Sequence, residues 1–437
     1  MSSAEFGSLT LALFALVGLA QLLGYIFTKL RQPRVVGEIL AGIVLGPAIL
    51  GRFAPAVSSA IFAKGGAGGA TKDEVVLGFL YNLGLLLLMF ASGAETKGLF
   101  NKNDRRQVSW LGIVGTGLPF VITIVCASFI PMTSLMGSAG QRTALLLVVG
   151  IAMAVTSIPV ISKILYDLKI MHTRFARLIL GVAVMEDIVL WAVLAIAVAL
   201  AKAGSIPHHK IVVHVAACIA YFAIGLTIMP RLLKRLGQTR LNVLATSSPI
   251  GYVTVVLLAY SAVAAAFDVS LVFAAFLAGF AIVSQSNAFD DAMKTVSKFS
   301  FAVFIPIYFA VVGYKLDLTK SFSFAMLGTF LAIGCVMKLL SAGLGAKLAG
   351  FNWNDSTNLA MALNARGGPG IVLASVAYEA NIISAGFYTT LVLFAILTSQ
   401  VAGAWLDYVL HKGKPLLSGE AADATSAEES VRPALAA

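Results

Sequence analysis

Between Leu9 and Phe27 the chain carries no charged side chain, and runs of similar length and apolarity recur toward its C-terminal end. About 20 apolar residues in a helix cross the hydrocarbon of a bilayer, where every backbone N–H and C=O must be satisfied within the chain. Repeated runs of this kind point to an all-α polytopic membrane protein. They divide into about thirteen transmembrane spans, near residues 7–28, 36–50, 75–95, 108–131, 143–166, 175–201, 211–230, 245–266, 269–284, 299–314, 322–345, 356–379 and 386–410. Composition agrees: 12% of residues are charged and the mean hydropathy is +0.93, whereas soluble domains average roughly 25% charged.

The net charge of +11 does not mark a nucleic-acid binder, because the basic residues sit in short breaks between apolar runs rather than on one soluble face. Instead they orient the chain. Lys29, Arg31 and Arg34 follow the first run and the acidic Glu5 precedes it, the reverse of a signal peptide. With the N-terminus outside, 20 of the 31 basic residues fall at inside loops and span ends, against 8 in outside loops. An anionic cytoplasmic leaflet selects that bias. The C-terminus is then inside, and the expected location is the cell (inner) membrane. Cys126, Cys218 and Cys335 are scattered through apolar runs, which suits small apolar fillers and neither a disulfide framework nor a zinc site. The glycines of 64–70 follow no phosphate-loop spacing. From about Leu416 the composition turns to Ala, Ser, Glu and Asp, so 416–437 is expected as a disordered cytoplasmic tail after a membrane domain of 1–415.

Ionisable residues inside the spans carry the chemistry, since each must offset its cost in hydrocarbon. Glu186 and Asp187 are adjacent in Gly-Val-Ala-Val-Met-Glu-Asp-Ile-Val-Leu-Trp (181–191), near the middle of an apolar run. Helical neighbours point about 100° apart, so the two cannot face one partner in the same way. Two carboxylates this close in low dielectric repel unless a cation or a proton relieves them. That is the requirement of a site where a metal ion and a proton compete; a structural ion pair in the bundle is the other reading. Lys338, deep in 322–345, has one of these carboxylates as its natural partner, or else snorkels to the inner interface. Arg366 could satisfy freed carbonyls or pair with a carboxylate. Glu38 and Glu95 lie nearer inside ends, where structural or gating roles fit. His208, His209 and His214 read as a surface cluster rather than a metal site.

Two spans look broken. Ala-Val-Thr-Ser-Ile-Pro-Val (154–160) contains Pro159, and Asn-Ala-Arg-Gly-Gly-Pro-Gly (364–370) contains Gly367, Gly368, Pro369 and Gly370. Proline removes a backbone donor and glycine is a poor helix former. Irregular backbone at membrane depth survives only where it lines a cavity or is buried in protein. One broken span in each half is the pattern of a transporter site built from inverted repeats. The order agrees: spans five and twelve are seven apart, as are four and eleven, and an odd shift reverses direction. A simple proline kink is the alternative at Pro159.

Four blocks resemble the monovalent cation/proton antiporter superfamily, in the branch of bacterial Na+/H+ antiporters, Kef-type potassium efflux proteins and plant cation/H+ exchangers. They are Arg-Gln-Pro-Arg-Val-Val-Gly-Glu-Ile-Leu-Ala-Gly-Ile-Val-Leu-Gly-Pro (31–47), Thr-Ser-Ile-Pro-Val-Ile-Ser-Lys-Ile-Leu (156–165) followed by Glu186-Asp187, Ile-Pro-Ile-Tyr-Phe-Ala-Val-Val-Gly-Tyr-Lys-Leu-Asp-Leu (305–318), and Lys338 with Asn364-Ala365-Arg366-Gly367. The resemblance covers about residues 7–410. It implies two crossed discontinuous helices in a core domain of about 108–201 and 322–410, beside a dimerisation domain of about 7–95 and 211–314. It also implies a homodimer, no cofactor, and exchange of Na+ or K+ for H+ by an elevator movement of the core.

Asp187 matches the family's essential aspartate, with Glu186, Thr156 and Ser157 beside it at the ion- and proton-binding site. Lys338 matches a lysine that pairs with the first acidic residue, and Pro159, Arg366, Gly367, Gly368 and Pro369 belong to the unwound segments. Two positions depart from the pattern. Glu186 stands where Asp, Asn or Gln is usual, and Gly368-Pro369 where an acidic residue often follows Arg-Gly. A Kef-like potassium efflux channel or transporter is the alternative, and a non-transporting membrane protein a more distant one. An enzyme is not expected: an intramembrane protease would need paired aspartates on two helices, a Ser/His pair or His-Glu-x-x-His, and none of these is apparent.

Overall fold

The computed structural model describes residues 3–30, 32–62, 72–95, 104–130, 132–202, 208–239, 242–267, 269–283, 289–316, 318 and 322–418. Within them the chain is helical, with one isolated antiparallel bridge between Met136 and Ile383. The main helices are α1 (Ser3–Lys29), α2 (Arg34–Leu45), α3 (Lys72–Glu95), α4 (Arg105–Val125), α5 (Arg142–Ala154), α6 (Ile158–Asp167), α7 (Arg174–Lys202) and α8 (His208–Gln238). They continue as α9 (Pro249–Ala266), α10 (Leu271–Val283), α11 (Asp290–Ala302), α12 (Phe304–Lys315), α13 (Phe324–Leu348), α14 (Trp353–Leu363), α15 (Gly367–Glu379) and α16 (Ala385–His411). Side chains that accept from first-turn amides start several of them: Ser157 for α6, Ser323 for α13, Asn352 for α14 and Ser384 for α16.

Ten described stretches, two of which join neighbouring helices (Arg34–Phe53 and Asp290–Lys315), are long and apolar enough to cross a bilayer, or eleven if the bent pair α14–α15 is one span. Of the segments read from sequence, 143–166 falls on the short pair α5 and α6, and 269–284 on the short α10. The helices are inside-out relative to those of a soluble protein. On α13, Ile333, Val336, Leu340 and Leu344 face outward, while Lys338, Ser341 and Gly345 face the bundle. Lipid accepts the apolar face, so the polar one turns to other helices.

Glycines set the closest approaches. A Cβ at Gly42 of α2 would lie 1.8 Å from the Ala310 carbonyl oxygen of α12, and one at Gly313 of α12 would lie 2.0 Å from that of Ile39. The pair α3 and α10 repeats the device, with a Cβ at Gly93 2.0 Å from the Phe276 oxygen and one at Gly279 2.0 Å from the Phe90 oxygen. Only residues without a side chain allow backbones this near. Separately, α4 packs on α5 and α7 while α13 packs on α14 and α16, and the two groups join along α4 and α13.

Residues 416–418, just past the expected boundary at 415, pack against the helices. Leu416 and Leu417 are buried in the cluster that also holds Leu359 and Leu406. The Ser418 amide donates to Asp355 Oδ1 at 3.0 Å. Two adjacent leucines find an apolar seat, so the chain stays docked through 418. Residues 419–437 and the glycine-rich 64–70 lie outside the described residues.

Candidate functional site

Helix α5 stops at Ala154 and α6 begins at Ile158, with Val155, Thr156 and Ser157 between them. Helix α14 stops at Leu363 and α15 begins at Gly367, the two being bent by 42°. The breaks meet. The Ser157 amide donates to the Ala365 carbonyl at 2.7 Å, and Thr156 Oγ1 to the Leu363 carbonyl at 2.6 Å. Each break thereby satisfies backbone groups that the other has freed.

The unwound residues are thus 155–157 and 364–366, inside the segments 154–160 and 364–370 expected to be broken and including Arg366, with Pro159, Gly367, Gly368 and Pro369 following just after. Those four lie in the first turns of α6 and α15. First-turn amides have no intrahelical acceptor, so proline loses nothing there. Gly367 is required twice over: its φ is +34°, and a Cβ would lie 2.3 Å from Val160 Cγ2. Its amide donates to Ser399 Oγ at 2.9 Å.

Two buried cations close the freed C-terminal end of α5. Arg366 donates to the carbonyls of Ala152 (3.0 Å) and Met153 (3.1 Å), to that of Gly334 (2.9 Å), and to Asn364 O (3.2 Å) and Oδ1 (2.5 Å). Its guanidinium also stacks 4.3 Å from the Phe394 ring centroid. Of the two roles open to Arg366, satisfying freed carbonyls is the one seen. Lys338 Nζ donates to the Ala154 carbonyl at 2.5 Å and to Glu186 Oε1 at 2.8 Å. The positive ends suit the carbonyl-rich terminus of a helix dipole. Lys338 is 0% exposed, so it pairs rather than snorkels.

Glu186 Oε1 accepts a further bond from Thr116 Oγ1 of α4 at 2.5 Å. Asp187 is different. It is 0% exposed; its oxygens make no well-formed hydrogen bond among the described residues, and the indole N–H of Trp191, one turn on, is the donor that faces them. Glu186 immediately precedes it on the same helix. Thr156 and Ser157 are fully buried at the break. Sequence reasoning missed Thr116, Ser399 and Phe394: uncharged residues in apolar runs announce themselves only once a partner across the bundle is known.

Glu38 of α2 accepts from Arg34 Nε at 2.8 Å. Both line a cavity of about 250 Å³ together with Ser92 and Glu95 of α3, Val160 of α6 and Gly368 of α15. Nothing is described of the side chains of Pro159, His208, His209 or His214, so the surface-cluster reading of the histidines lies outside the described residues.

The profile of the transmembrane sodium/hydrogen exchanger family matches residues 12–412. The chain is 28% identical over 390 residues to K+/H+ antiporter 1 of Saccharomyces cerevisiae, a match that covers 86% of this chain and 43% of the yeast protein. It thus spans less than half the length of that relative. It is 24% identical to the Na+/H+ antiporter NhaS4 of Synechocystis, covering 89% of this chain and 94% of the relative. The sodium proton antiporter MjNhaP1 of Methanocaldococcus jannaschii superposes with a TM-score of 0.63 at 15% identity, covering 92% and 96% of the two chains; this likeness concerns the fold. The family is one of transporters rather than enzymes. The chain is a multi-pass membrane protein that belongs to the sodium/hydrogen exchanger family of the monovalent cation/proton antiporter superfamily.

Proposed function

We propose that this protein is a secondary active transporter of the cell (inner) membrane that exchanges Na+ or K+ for H+. One observation carries the reading: Asp187 is a fully buried carboxylate with no ion-pair partner among the described residues, beside a Glu186 that is already paired with Lys338. A carboxylate at membrane depth needs a positive partner, and either a proton or a metal cation can be that partner. Since the two exclude each other at one group, loading one releases the other. Thr156 and Ser157 offer oxygen ligands at the adjoining break, where irregular backbone has a functional reason to exist. Glu186 and Lys338 form a resident ion pair at the site.

Transport of the elevator kind follows in this reading. The two groups joined along α4 and α13 would form a core of about 108–201 and 322–410, carrying crossed broken helices. It would move against a dimerisation domain of about 7–95 and 211–314, held together by the glycine contacts α2–α12 and α3–α10. The equivalence of those contacts under a shift of seven spans supports inverted repeats: span two on span ten becomes span nine on span three. The assembly is a homodimer, with N-terminus outside and C-terminus inside. One relative is named for K+ and another for Na+, so both ions stay in the proposal. The test is purified protein in proteoliposomes carrying an imposed pH gradient. Adding Na+, K+, Li+ or Rb+ separately, with and without a clamped membrane potential, is expected to dissipate the gradient for at least one ion. A gradient unmoved by any of them would contradict exchange.

A further inference from the structure

Trp191 lies one turn beyond Asp187 on α7, so the two side chains share a face of the helix. Both are buried, Asp187 at 0% and Trp191 at 2% exposure. The indole N–H is a donor with no acceptor capacity. It makes no well-formed bond among the described residues, although it faces a carboxylate in the same condition. The other polar side chains near the breaks are engaged elsewhere. Thr116 donates to Glu186, Thr156 to the Leu363 carbonyl, and Arg366 to carbonyls of α5 and α13. Lys338 meets Glu186 and the Ala154 carbonyl. A buried donor and a buried acceptor left open toward each other are costly to keep, so the pair has reason to close in at least one state of the protein. The indole ring is also seated: it meets Phe273 of α10 edge-on, with centroids 6.4 Å apart. That contact limits the freedom of the ring to turn its N–H away.

We propose that Trp191 is a positioning residue of the exchange site, whose indole N–H holds one oxygen of the Asp187 carboxylate and leaves the other for the cation. The inference rests on the exchange reading and deepens it with a residue that acts through Asp187. Hard cations take carboxylate and hydroxyl oxygens, so the indole is not itself a ligand. It carries no charge either, and so does not compete with the cation as a lysine would. With the carboxylate held in one orientation, less freedom is lost when the ion arrives. The free oxygen then joins the hydroxyls of Thr156 and Ser157 around the ion. The bond is charge-assisted when Asp187 is ionised, so the indole acts in the empty and cation-loaded states and slackens in the proton-loaded one. Phe273 belongs to α10, in the part of the chain against which the core is proposed to move, so one side chain touches both the ion site and the seam.

The test compares wild type with Trp191→Phe, which keeps an aromatic ring opposite Phe273 but has no N–H. In proteoliposomes, Trp191→Phe should raise the half-saturating Na+ or K+ concentration several-fold, more than it lowers the maximal rate. An unchanged half-saturating concentration would overturn the proposal. A fall in maximal rate alone would also overturn it, since Trp191 would then only pack. A second readout stands even if Trp191→Phe folds poorly. In full-length wild-type protein in detergent, NaCl or KCl at ionic strength fixed by N-methylglucamine chloride should shift the tryptophan emission, because the surroundings of the indole change as Asp187 takes the ion. The shift should be absent from Asp187→Asn. It should also be absent from folded Trp191→Phe, although Trp110, Trp353 and Trp405 remain. Wild-type emission indifferent to both cations, or a shift kept in Asp187→Asn or Trp191→Phe, would overturn the assignment. The exchange reading fails separately, if wild type shows the cation-dependent emission shift yet moves no protons in vesicles.

Discussion

Lys338 ties three separate elements together, because its ammonium meets Glu186 of α7 and the last carbonyl of α5 from its own place on α13. Removing one partner of a buried pair leaves the other charge unbalanced, at a cost of about 3–5 kcal/mol. Lys338→Ala and Glu186→Gln should each therefore lower the thermal midpoint and the exchange rate. The double variant should be milder than their sum, with a coupling energy of about 1–3 kcal/mol. Additive losses in that double-mutant cycle would show that the pair carries no joint role. Arg366 gives a sharper contrast. Its planar fork reaches three carbonyls outside its own segment, those of Ala152, Met153 and Gly334, and an ammonium cannot reproduce that spread. Arg366→Lys keeps the charge but strands carbonyls, so it should destabilise by about 2 kcal/mol or more. An unchanged melting temperature would mean that charge alone matters there. These ionic residues were legible in the sequence because charge is so rare in an apolar span. Thr116, which completes the Glu186 environment, was not, since a threonine fits an apolar helix with or without a partner.

At the level of elements, the two breaks depend on different residues from those that first draw the eye. Glycine and proline mark the neighbourhood of a break, yet both are tolerated in a first helical turn, so the chain unwinds just before them. Thr156, Ser157, Ala365 and Leu363 make the contacts between the breaks, and their pairing cannot be read from residues so distant in sequence. The glycines are consequently unequal. A Cβ at Gly367 meets Val160 at a positive φ, whereas one at Gly368 has nothing within 4 Å. Gly367→Ala should cost about 1–3 kcal/mol of stability and most of the exchange activity. Gly368→Ala should fold normally and retain exchange. Equal behaviour of the two variants, measured by thermal unfolding and vesicle transport, would contradict this account of the second break.

On the scale of the whole molecule, several polar contacts join the proposed core to the rest of the chain. Lys315 of α12 meets Glu379 of α15 at 3.4 Å, Tyr308 donates to Ser375 at 3.2 Å, and Tyr388 donates to the Val312 carbonyl at 3.3 Å. If the core moves, these contacts must separate in each cycle. Cysteines introduced as Lys315→Cys and Glu379→Cys, joined by a cleavable thiol cross-linker, should stop exchange, and cleavage should restore it. Full activity in the cross-linked protein would contradict movement at this seam. Span lengths and the charge bias were readable from sequence because bilayer thickness imposes them. The docking of 416–418 was not, because two leucines count for little in a polar tail until α14 offers them a seat. The central claim concerns Asp187, and Asp187→Asn tests it most directly, since the amide matches the carboxylate in size but cannot alternate between a proton and a cation. In proteoliposomes made with this variant, the account predicts no cation-driven proton movement, while the melting temperature and oligomeric state match wild type. Exchange near the wild-type rate in such well-folded protein would contradict it.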